Sequence, residues 1–391
     1  MNNCTASTNT HLDELRQRVR KFVDQVAIPL ENQAIERDID KLDEVTLSLR
    51  TQARQSGIYA PQLPKEWGGL GLSWADCAVI FEEAARGLLG PLALNCAAPD
   101  QPNMWLLLEL GTPQQLERYL GPLATGQKRA CFAMTEPAPG AGSDPNMLTT
   151  HAERTDGGWL LSGHKTFISG GVKSDFAIVP AQTNEGVTLF IIDTDVPGFE
   201  VVRDVGMVTS YQIGGHAEIQ LRDCFIDDAQ VLGQIGAGFQ HAQQRLEPAR
   251  LAHCMRFIGR ASRALELAQE YVSTRHSFGQ LLSETQQIQA MVADSHIDLH
   301  ASRLMTQHCA QRLDAGVSIR HESAMTKVFV SEAIGRVTDR AVQMMGALGV
   351  SDDTPVSAIW REARPFRIYD GANELHRAML ARRVFYRQLH P

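Results

Sequence analysis

The sequence predicts a mainly α-helical protein with a small β domain at its centre. Three observations predict it. Apolar residues recur at helical spacing as far as about residue 125. Residues 126–232 then break into short apolar runs punctuated by glycine. From Gly236 the helical spacing returns. A length of 391 residues suits two or three domains of about 150 residues each. No internal repeat or low-complexity linker divides the chain.

In the first region, Leu12, Leu15, Val19, Phe22, Val23 and Val26 mark one helix, which Pro29 is expected to limit. Residues 73–85 mark another, with Ala75, Ala78, Val79, Phe81 and Ala84 apolar. Thr112-Pro113-Gln114 reads as an N-cap followed by proline at the first helical position. That helix should reach Leu120 and stop at Gly121-Pro122. In the second region, residues 159–161, 176–179 and 188–192 read as strands. Ala217, Ile219 and Leu221 alternate with Glu218, Gln220 and Arg222, the pattern of a half-buried strand. Short strands at this spacing predict a small antiparallel barrel or sandwich. In the third region, Leu251, Cys254, Met255, Ile258, Ala261, Leu265, Ala268 and Val272 form an apolar helical stripe. The texture repeats at 288–299 and 324–345, and a last helix runs through Leu375, Met379, Val384 and Leu389.

Composition narrows function. Hydrophobic residues at 43% and charged residues at 21% exclude disordered, collagen-like and coiled-coil chains. A net charge of −8 argues against a domain-scale nucleic-acid binder. The seven cysteines (Cys4, Cys77, Cys96, Cys131, Cys224, Cys254 and Cys309) are odd in number, widely spaced and free of C-x-x-C. No disulfide framework and no metal site is expected. Residues 1–15 lack both the basic-then-apolar pattern of a secretory signal and the arginine-rich pattern of a mitochondrial presequence. The apolar stretch at 104–108 is too short to span a bilayer. A cytoplasmic protein without membrane association is the expectation.

Four motifs carry the chemistry. The run from Phe132 through Met134-Thr135-Glu136-Pro137 to Gly142-Ser143-Asp144 combines small residues with hydroxyls. That suits close approach to a ligand, and equally a polar surface turn. Ser162-Gly163-His164-Lys165-Thr166-Phe167-Ile168-Ser169 sets an aromatic beside hydroxyls, as in the flank of a planar ring or in an ordinary core. Arg275-His276-Ser277-Phe278-Gly279 closes a helix, where Arg275 can complement the helix C-terminus or bind a phosphate. Arg367-Ile368-Tyr369-Asp370-Gly371-Ala372-Asn373-Glu374 sets Asp370 before a glycine and a helix start, as an N-cap or a general base.

In this order and spacing the four motifs resemble those of the acyl-CoA dehydrogenase family, over essentially the whole chain. The branch of family members 10 and 11 is the most similar, through Asn95-Cys96-Ala97-Ala98-Pro99-Asp100, the run from Leu246 to Arg256, and Asp370-Gly371. The resemblance implies an acyl-CoA dehydrogenase-like fold. Residues 1–125 would form an N-terminal α-helical domain, 126–232 a middle β-barrel domain and 233–391 a C-terminal four-helix bundle. It implies FAD as cofactor and a homodimer or homotetramer in which a second subunit completes the site. The implied activity is that of a flavoprotein oxidoreductase of fatty acid metabolism, α,β-dehydrogenation of an acyl-CoA thioester to the trans-2-enoyl-CoA. Electron-transfer flavoprotein is the implied electron acceptor.

Residue by residue, the resemblance makes Asp370 the base that takes the α-proton while the β-carbon gives hydride to flavin N5. Arg250 supports the base and the thioester end. Phe132, Met134, Thr135, Phe167 and Ser169 would lie along the isoalloxazine. Arg275, Ser277, Phe278 and Gln286 would bind the pyrophosphate and adenosine. Gln343, Met344, Gly346 and Ala347 would reach FAD across a subunit interface, and Ala372 and Glu374 occupy the last FAD positions. Ser143, Glu247, Arg250 and Gly371 are the implied acyl-CoA contacts. The thioester oxygen must be polarised by preformed donors for so weak a carbon acid to react.

Several departures stand out. Asp370 is one methylene shorter than the family's usual Glu, a feature that members 10 and 11 share. The family's other base position is Ala249, with Glu247 nearby, and the usual Thr is Ala372. Ala138-Pro139 lengthens its loop by two residues. Alternatives on the same fold are a flavin oxidase of the nitroalkane-oxidase type and a desulfinase or lyase-type relative. Leu92, Leu94, Asn95, Asn103, Trp105 and Gln243 are expected to set the acyl pocket. The branch resemblance implies a short or medium, branched or functionalised acyl group.

Overall fold

The computed structural model describes residues 10–31, 39–208 and 213–389. Helices α1 (Thr10–Phe22), α2 (Ile39–Gln55), α3 (Trp74–Ala84) and α4 (Asp100–Leu110) come first. Leu15, Val19 and Phe22 form the buried stripe of α1. Pro29 does not end this path at once. A π turn (Val23–Ala27) and a 3-10 turn (Ile28–Leu30) carry it on, with Pro29 in the first turn, where no N–H is needed. Ser73 caps α3 by accepting the Asp76 N–H at 3.1 Å. The Asp314 carboxylate accepts the next two free N–H groups, from Trp74 at 2.7 Å and Ala75 at 2.9 Å. Thr112 and Gln115 close a capping box. The expected stop at Gly121-Pro122 does not occur. A π turn (Leu116–Leu120) intervenes, and Pro122 opens a further turn (Gly121–Ala124), where its missing N–H would have had no partner anyway.

Eight strands follow: β1 (Ala130–Phe132), β2 (His151–Thr155), β3 (Gly158–Ser169), β4 (Phe176–Thr183), β5 (Gly186–Asp193), β6 (Phe199–Asp204), β7 (His216–Asp227) and β8 (Val231–Leu232). They form one sheet in the order β6-β7-β3-β2-β4-β5-β8, with β1 beside β4. The sheet is mixed rather than purely antiparallel, because β1 and β2 each pair parallel to β4. Parallel neighbours need long connections, and the chain between them supplies these. Among the described residues no ladder joins the end strands β6 and β8. The sheet nonetheless wraps its own core, with Cys131, Trp159, Leu161, Val179, Phe190, Ile219 and Leu221 in one cluster.

The last region is helical: α5 (Gly238–Thr274), α6 (Gln286–Asp314), α7 (Arg320–Met345), α8 (Val356–Ala363) and α9 (Asn373–Leu389). With 37 residues, α5 is about 55 Å long. It packs on α3 and α4, on β5, and on α6 and α7, so it touches all three regions. A buried ion pair ties it to the N-terminal helices. Arg263 Nη1 donates to both Glu31 oxygens, at 2.8 and 2.7 Å, and Leu88 N–H donates to Glu31 at 2.7 Å. The six cysteines among the described residues are buried and free; Cys4 lies outside them. Among the described residues no helix is long and apolar enough to cross a membrane, and no His/Cys/Asp/Glu group could hold a metal.

Candidate active site

Helices α5 and α7 meet the turn that leads into α9, and Asp370 sits in that turn. Its φ of +54° is left-handed, a conformation costly for a residue with a Cβ. Neighbours hold it there. Arg250 Nε donates to the Asp370 carbonyl at 2.8 Å. His376 Nε2 lies 3.1 Å from the same oxygen, and a carbonyl can only accept, so this nitrogen carries the proton. Lys327 Nζ donates to the Gly371 carbonyl at 2.7 Å and to Asn373 Oδ1 at 2.8 Å. Gly371 is required twice over. Its φ is +91°, and a Cβ there would lie 2.7 Å from His376 Nε2.

The Asp370 side chain does not cap α9. Its Oδ2 is buried without a hydrogen-bond partner, and His253 Nε2 lies 3.4 Å away. Burial holds His253 well below the usual histidine range, reinforced by Arg256, Arg260, Arg245 and Lys327, so the imidazole is neutral. Burial pushes the Lys327 ammonium down to about 8, against the charge of Asp370. Burial and Arg250 bring His376 down to about 4. Glu247 is half-buried; burial raises its carboxyl and Arg250 opposes the rise.

Three further α5 residues belong to this neighbourhood and were given no role by the sequence: Arg245 lies just outside the run from Leu246 to Arg256, and His253 and Arg256 lie within it. Arg245 is buried, donates from Nε to Asn103 Oδ1 at 2.8 Å, and stacks its guanidinium 4.2 Å over the Phe132 ring. Burial draws its pKa down to about 10, with Asp370 opposing. No ion-pair partner faces it among the described residues, and the Asn103 Nδ2 beside it is buried and unpaired. Arg256 donates to the Cys96 carbonyl at 2.8 Å and leaves Nη2 unpaired. Together with His253, these residues recur at helical spacing on the Ala249 face. Charge inside a buried stripe was the readable sign. Asn95 corrects an expectation. Its amide is used within the N-terminal helices, accepting from Arg50 at 3.0 Å and donating to the Leu123 and Ala124 carbonyls at 3.2 Å. It is a tie and does not wall a pocket.

A second group lies at one edge of the sheet. The Thr166 N–H donates to the Thr135 carbonyl at 2.9 Å, placing the end of β1 against β3. Between Lys165 and Ile168, β3 carries one more residue than β7, and this bulge turns Phe167 outward at φ +58° and 53% exposure. Phe132, Met134 and Thr135 thus share an edge with Phe167 and Ser169, whose hydroxyl lies 3.1 Å from His216 Nδ1. Beneath them the buried Glu136 carboxylate accepts from Lys165 at 3.0 Å and from Thr149 and Thr150.

The third group follows α5. His276–Ser277 and Gln280–Leu281 form a hairpin whose turn residues Phe278 and Gly279 both have positive φ. Phe278 is fully exposed, and Arg275 has no side-chain partner among the described residues. Gln286 opens α6, while Gln343 and Met344 close α7 ahead of Gly346 and Ala347. Ala372 and Glu374 adjoin the Asp370 turn, and Ser143 is exposed on its loop.

The structure therefore brings Asp370, Arg250 and Gly371 together, and gathers Phe132, Met134, Thr135, Phe167 and Ser169 at one edge. Arg245 stacks on Phe132 of the second group and feels the charge of Asp370 in the first. Within one chain, no hydrogen bond or ion pair among the described residues joins the 275–286 or 343–347 groups to either. An exposed aromatic beside hydroxyls suits a planar ring with a polar edge, and an unpaired arginine suits a phosphate. These residues fit FAD.

Comparison with known proteins bears on the same point. Models of the acyl-CoA dehydrogenase N-terminal, middle and C-terminal domains match residues 9–127, 131–224 and 236–385. "Probable acyl-CoA dehydrogenase FadE2" of Mycobacterium tuberculosis is 35% identical over 350 residues, 87% of this chain and 85% of that protein. Acyl-CoA dehydrogenase family member 10 of Mus musculus is 32% identical over 390 residues, 94% of this chain, but the chain spans only 36% of that protein's length. The solved FAD complex of PigA is 25% identical and superposes with a TM-score of 0.84, covering 99% of this chain and 100% of that one.

Proposed function

The chain belongs to the acyl-CoA dehydrogenase family, with FAD as its cofactor, and we propose that it catalyses α,β-dehydrogenation of an acyl-CoA thioester with Asp370 as the base. The observation that carries this reading is the Asp370 carboxylate itself: half-buried, capping nothing, and set on a turn that Arg250 and His376 hold. Bound FAD supplies the two-electron acceptor for the β-hydride. The protein's own part is the rest. Asp370 takes the α-proton, and Arg250 holds the backbone of the base residue through its carbonyl. Phe132, Met134, Thr135, Phe167 and Ser169 would orient the ring, and Arg275, Ser277, Phe278 and Gln286 the phosphates and adenosine. Gln343, Met344, Gly346 and Ala347 would serve the FAD of a second subunit, in a homodimer or homotetramer. Ser143, Glu247 and Gly371 would meet acyl-CoA.

A short or medium acyl chain carrying a polar group is the proposed substrate, and the Asn103 Nδ2, a buried donor without a partner beside Arg245, supports the polar group. Electron-transfer flavoprotein is the proposed acceptor and the cytoplasm the proposed compartment. Anaerobic titration of the yellow protein with a panel of acyl-CoAs tests the activity. Bleaching of the flavin by one or more thioesters is expected; no bleaching by any of them would remove the reading. Fast reaction of the reduced flavin with O₂ would instead favour an oxidase.

A further inference from the structure

We propose that His253 is a positioning residue for the Asp370 carboxylate, holding Oδ2 so that Oδ1 alone meets the α-hydrogen of the substrate. The inference rests on the reading of Asp370 as the base. Three observations carry it. The first is an unmet need. Asp370 Oδ2 is buried with no hydrogen-bond partner, a costly state for a carboxylate oxygen. The second is reach. His253 Nε2 lies 3.4 Å away, a few tenths of an ångström beyond a made hydrogen bond. A small rotation of either side chain closes a gap of this size.

The third observation is rigidity. The imidazole packs against Tyr369 at 5.0 Å, Phe366 at 5.8 Å and Phe257 at 6.3 Å between ring centroids. Phe257 and Phe366 are themselves stacked at 4.8 Å. A ring held on three sides cannot swing away from the carboxylate. It is flanked by Arg245, Arg256, Arg260 and Lys327, so it stays neutral and acts as a hydrogen-bond donor, not a counter-ion. The proton then sits on Nε2, a tautomer assigned from this contact.

The arrangement uses one helix for two tasks. Arg250 and His253 lie three residues apart on α5, on one face. Arg250 holds the backbone of the base residue and His253 its side chain. A short Asp has one torsion fewer than Glu with which to find its substrate, so fixing one oxygen aims the other. In the step itself the α C–H bond breaks, the proton goes to Oδ1, and the electron pair passes to the thioester enolate.

Proton removal can be read apart from flavin reduction. Phenylacetyl-CoA has α-hydrogens but no β-hydrogen to give, so its α-deuterium uptake in D₂O, followed by NMR with the FAD-loaded protein, reports this step alone. Wild type is expected to exchange and Asp370→Asn to lose exchange. His253→Leu should slow exchange by about tenfold to a hundredfold, with FAD content and thioester affinity unchanged. His253→Gln, which restores a donor near the Nε2 position, should recover to within about threefold of wild type. If His253→Leu loses FAD, His253→Gln is compared with His253→Asn, whose donor falls short and which should exchange more slowly. Exchange by His253→Leu at the wild-type rate, or equal loss in the Leu and Gln variants, would overturn the inference and leave the base assignment standing. Exchange undiminished in Asp370→Asn, or absent in wild type, would sink both.

Discussion

The two sides of the site differ in how far one chain finishes them. Around Asp370 the backbone acceptors are paired, by Arg250 and His376 at residue 370 and by Lys327 at residue 371. The aromatic rings there are packed on one another. On the cofactor side Phe167 and Phe278 stand in solvent, and Arg275 has no partner among the described residues. Large apolar groups left out in this way mark a surface that something else covers. The base side is thus a product of folding: α5, α7 and α9 must bury their faces, and doing so fixes the turn. In the proposed reading, FAD and a second copy of the chain complete the cofactor side.

The contrast predicts that damage on the two sides will look different. The largest effect is expected for Asp370→Asn. It should slow flavin reduction by an active acyl-CoA by roughly 10²- to 10⁴-fold, while FAD binding and melting temperature stay near wild type. A variant that reduces at the wild-type rate would remove Asp370 from the chemistry. Next is Arg275→Ala. An arginine that gains a phosphate only when FAD arrives should cost affinity, about tenfold to a hundredfold, and excess FAD should restore the reduction rate. Unchanged FAD affinity would show that the hairpin arginine serves only its helix terminus.

How much of this was legible follows from how local each signal is. The cap at Thr112 is encoded within four residues, and the structure places it as read, whereas Ser73, read as the first residue of its helix, turns out to be the cap. The stop at Gly121-Pro122 failed because the same dipeptide serves either to end a helix or to open its next turn; the π turn before it decides which. Parallel pairing of β1 and β2 with β4 was invisible because strand partners are chosen across long connections. Asp370 and Arg250 were found through their motifs, but the bond between them spans 120 positions. Arg245 and Lys327 lay in no motif, and His253 lay in the run from Leu246 to Arg256 without a role assigned to it. A polar residue on a helix reads alike whether it faces water or a core, and only packing on α5 and α7 makes these three matter.

A smaller effect tests the open side. Gly346 takes φ +59° and ψ −133°, where only glycine is comfortable, yet a Cβ there would meet no atom within 4 Å. The cost of Gly346→Ala is therefore conformational, about 2 kcal/mol, and should appear as a lower melting temperature of the FAD-free protein. If the 343–347 segment also contacts FAD in the assembled protein, FAD retention should fall with it. A neutral substitution would show that this backbone relaxes freely, and that the cofactor side is softer than the turn at Asp370.

The smallest effect should belong to the buried side alone. His376 is neutral and donates to the Asp370 carbonyl, and its pKa falls from 6.5 in a model peptide to about 4 in the fold, first through burial and then through Arg250. The unfolded chain therefore binds a proton at His376 in a window where the folded chain does not. Stability from this residue is complete above pH 6.5 and is lost as the pH falls toward about 4. Discounted for partial solvent screening, the loss is about 1 kcal/mol by pH 5. His376→Gln keeps an amide donor for the carbonyl but cannot titrate. Its melting temperature should fall less than that of wild type between pH 7 and pH 5. Parallel slopes would mean that acid reaches the turn at Asp370 as easily as the open face, and the distinction between a finished and an unfinished side would lose its electrostatic support.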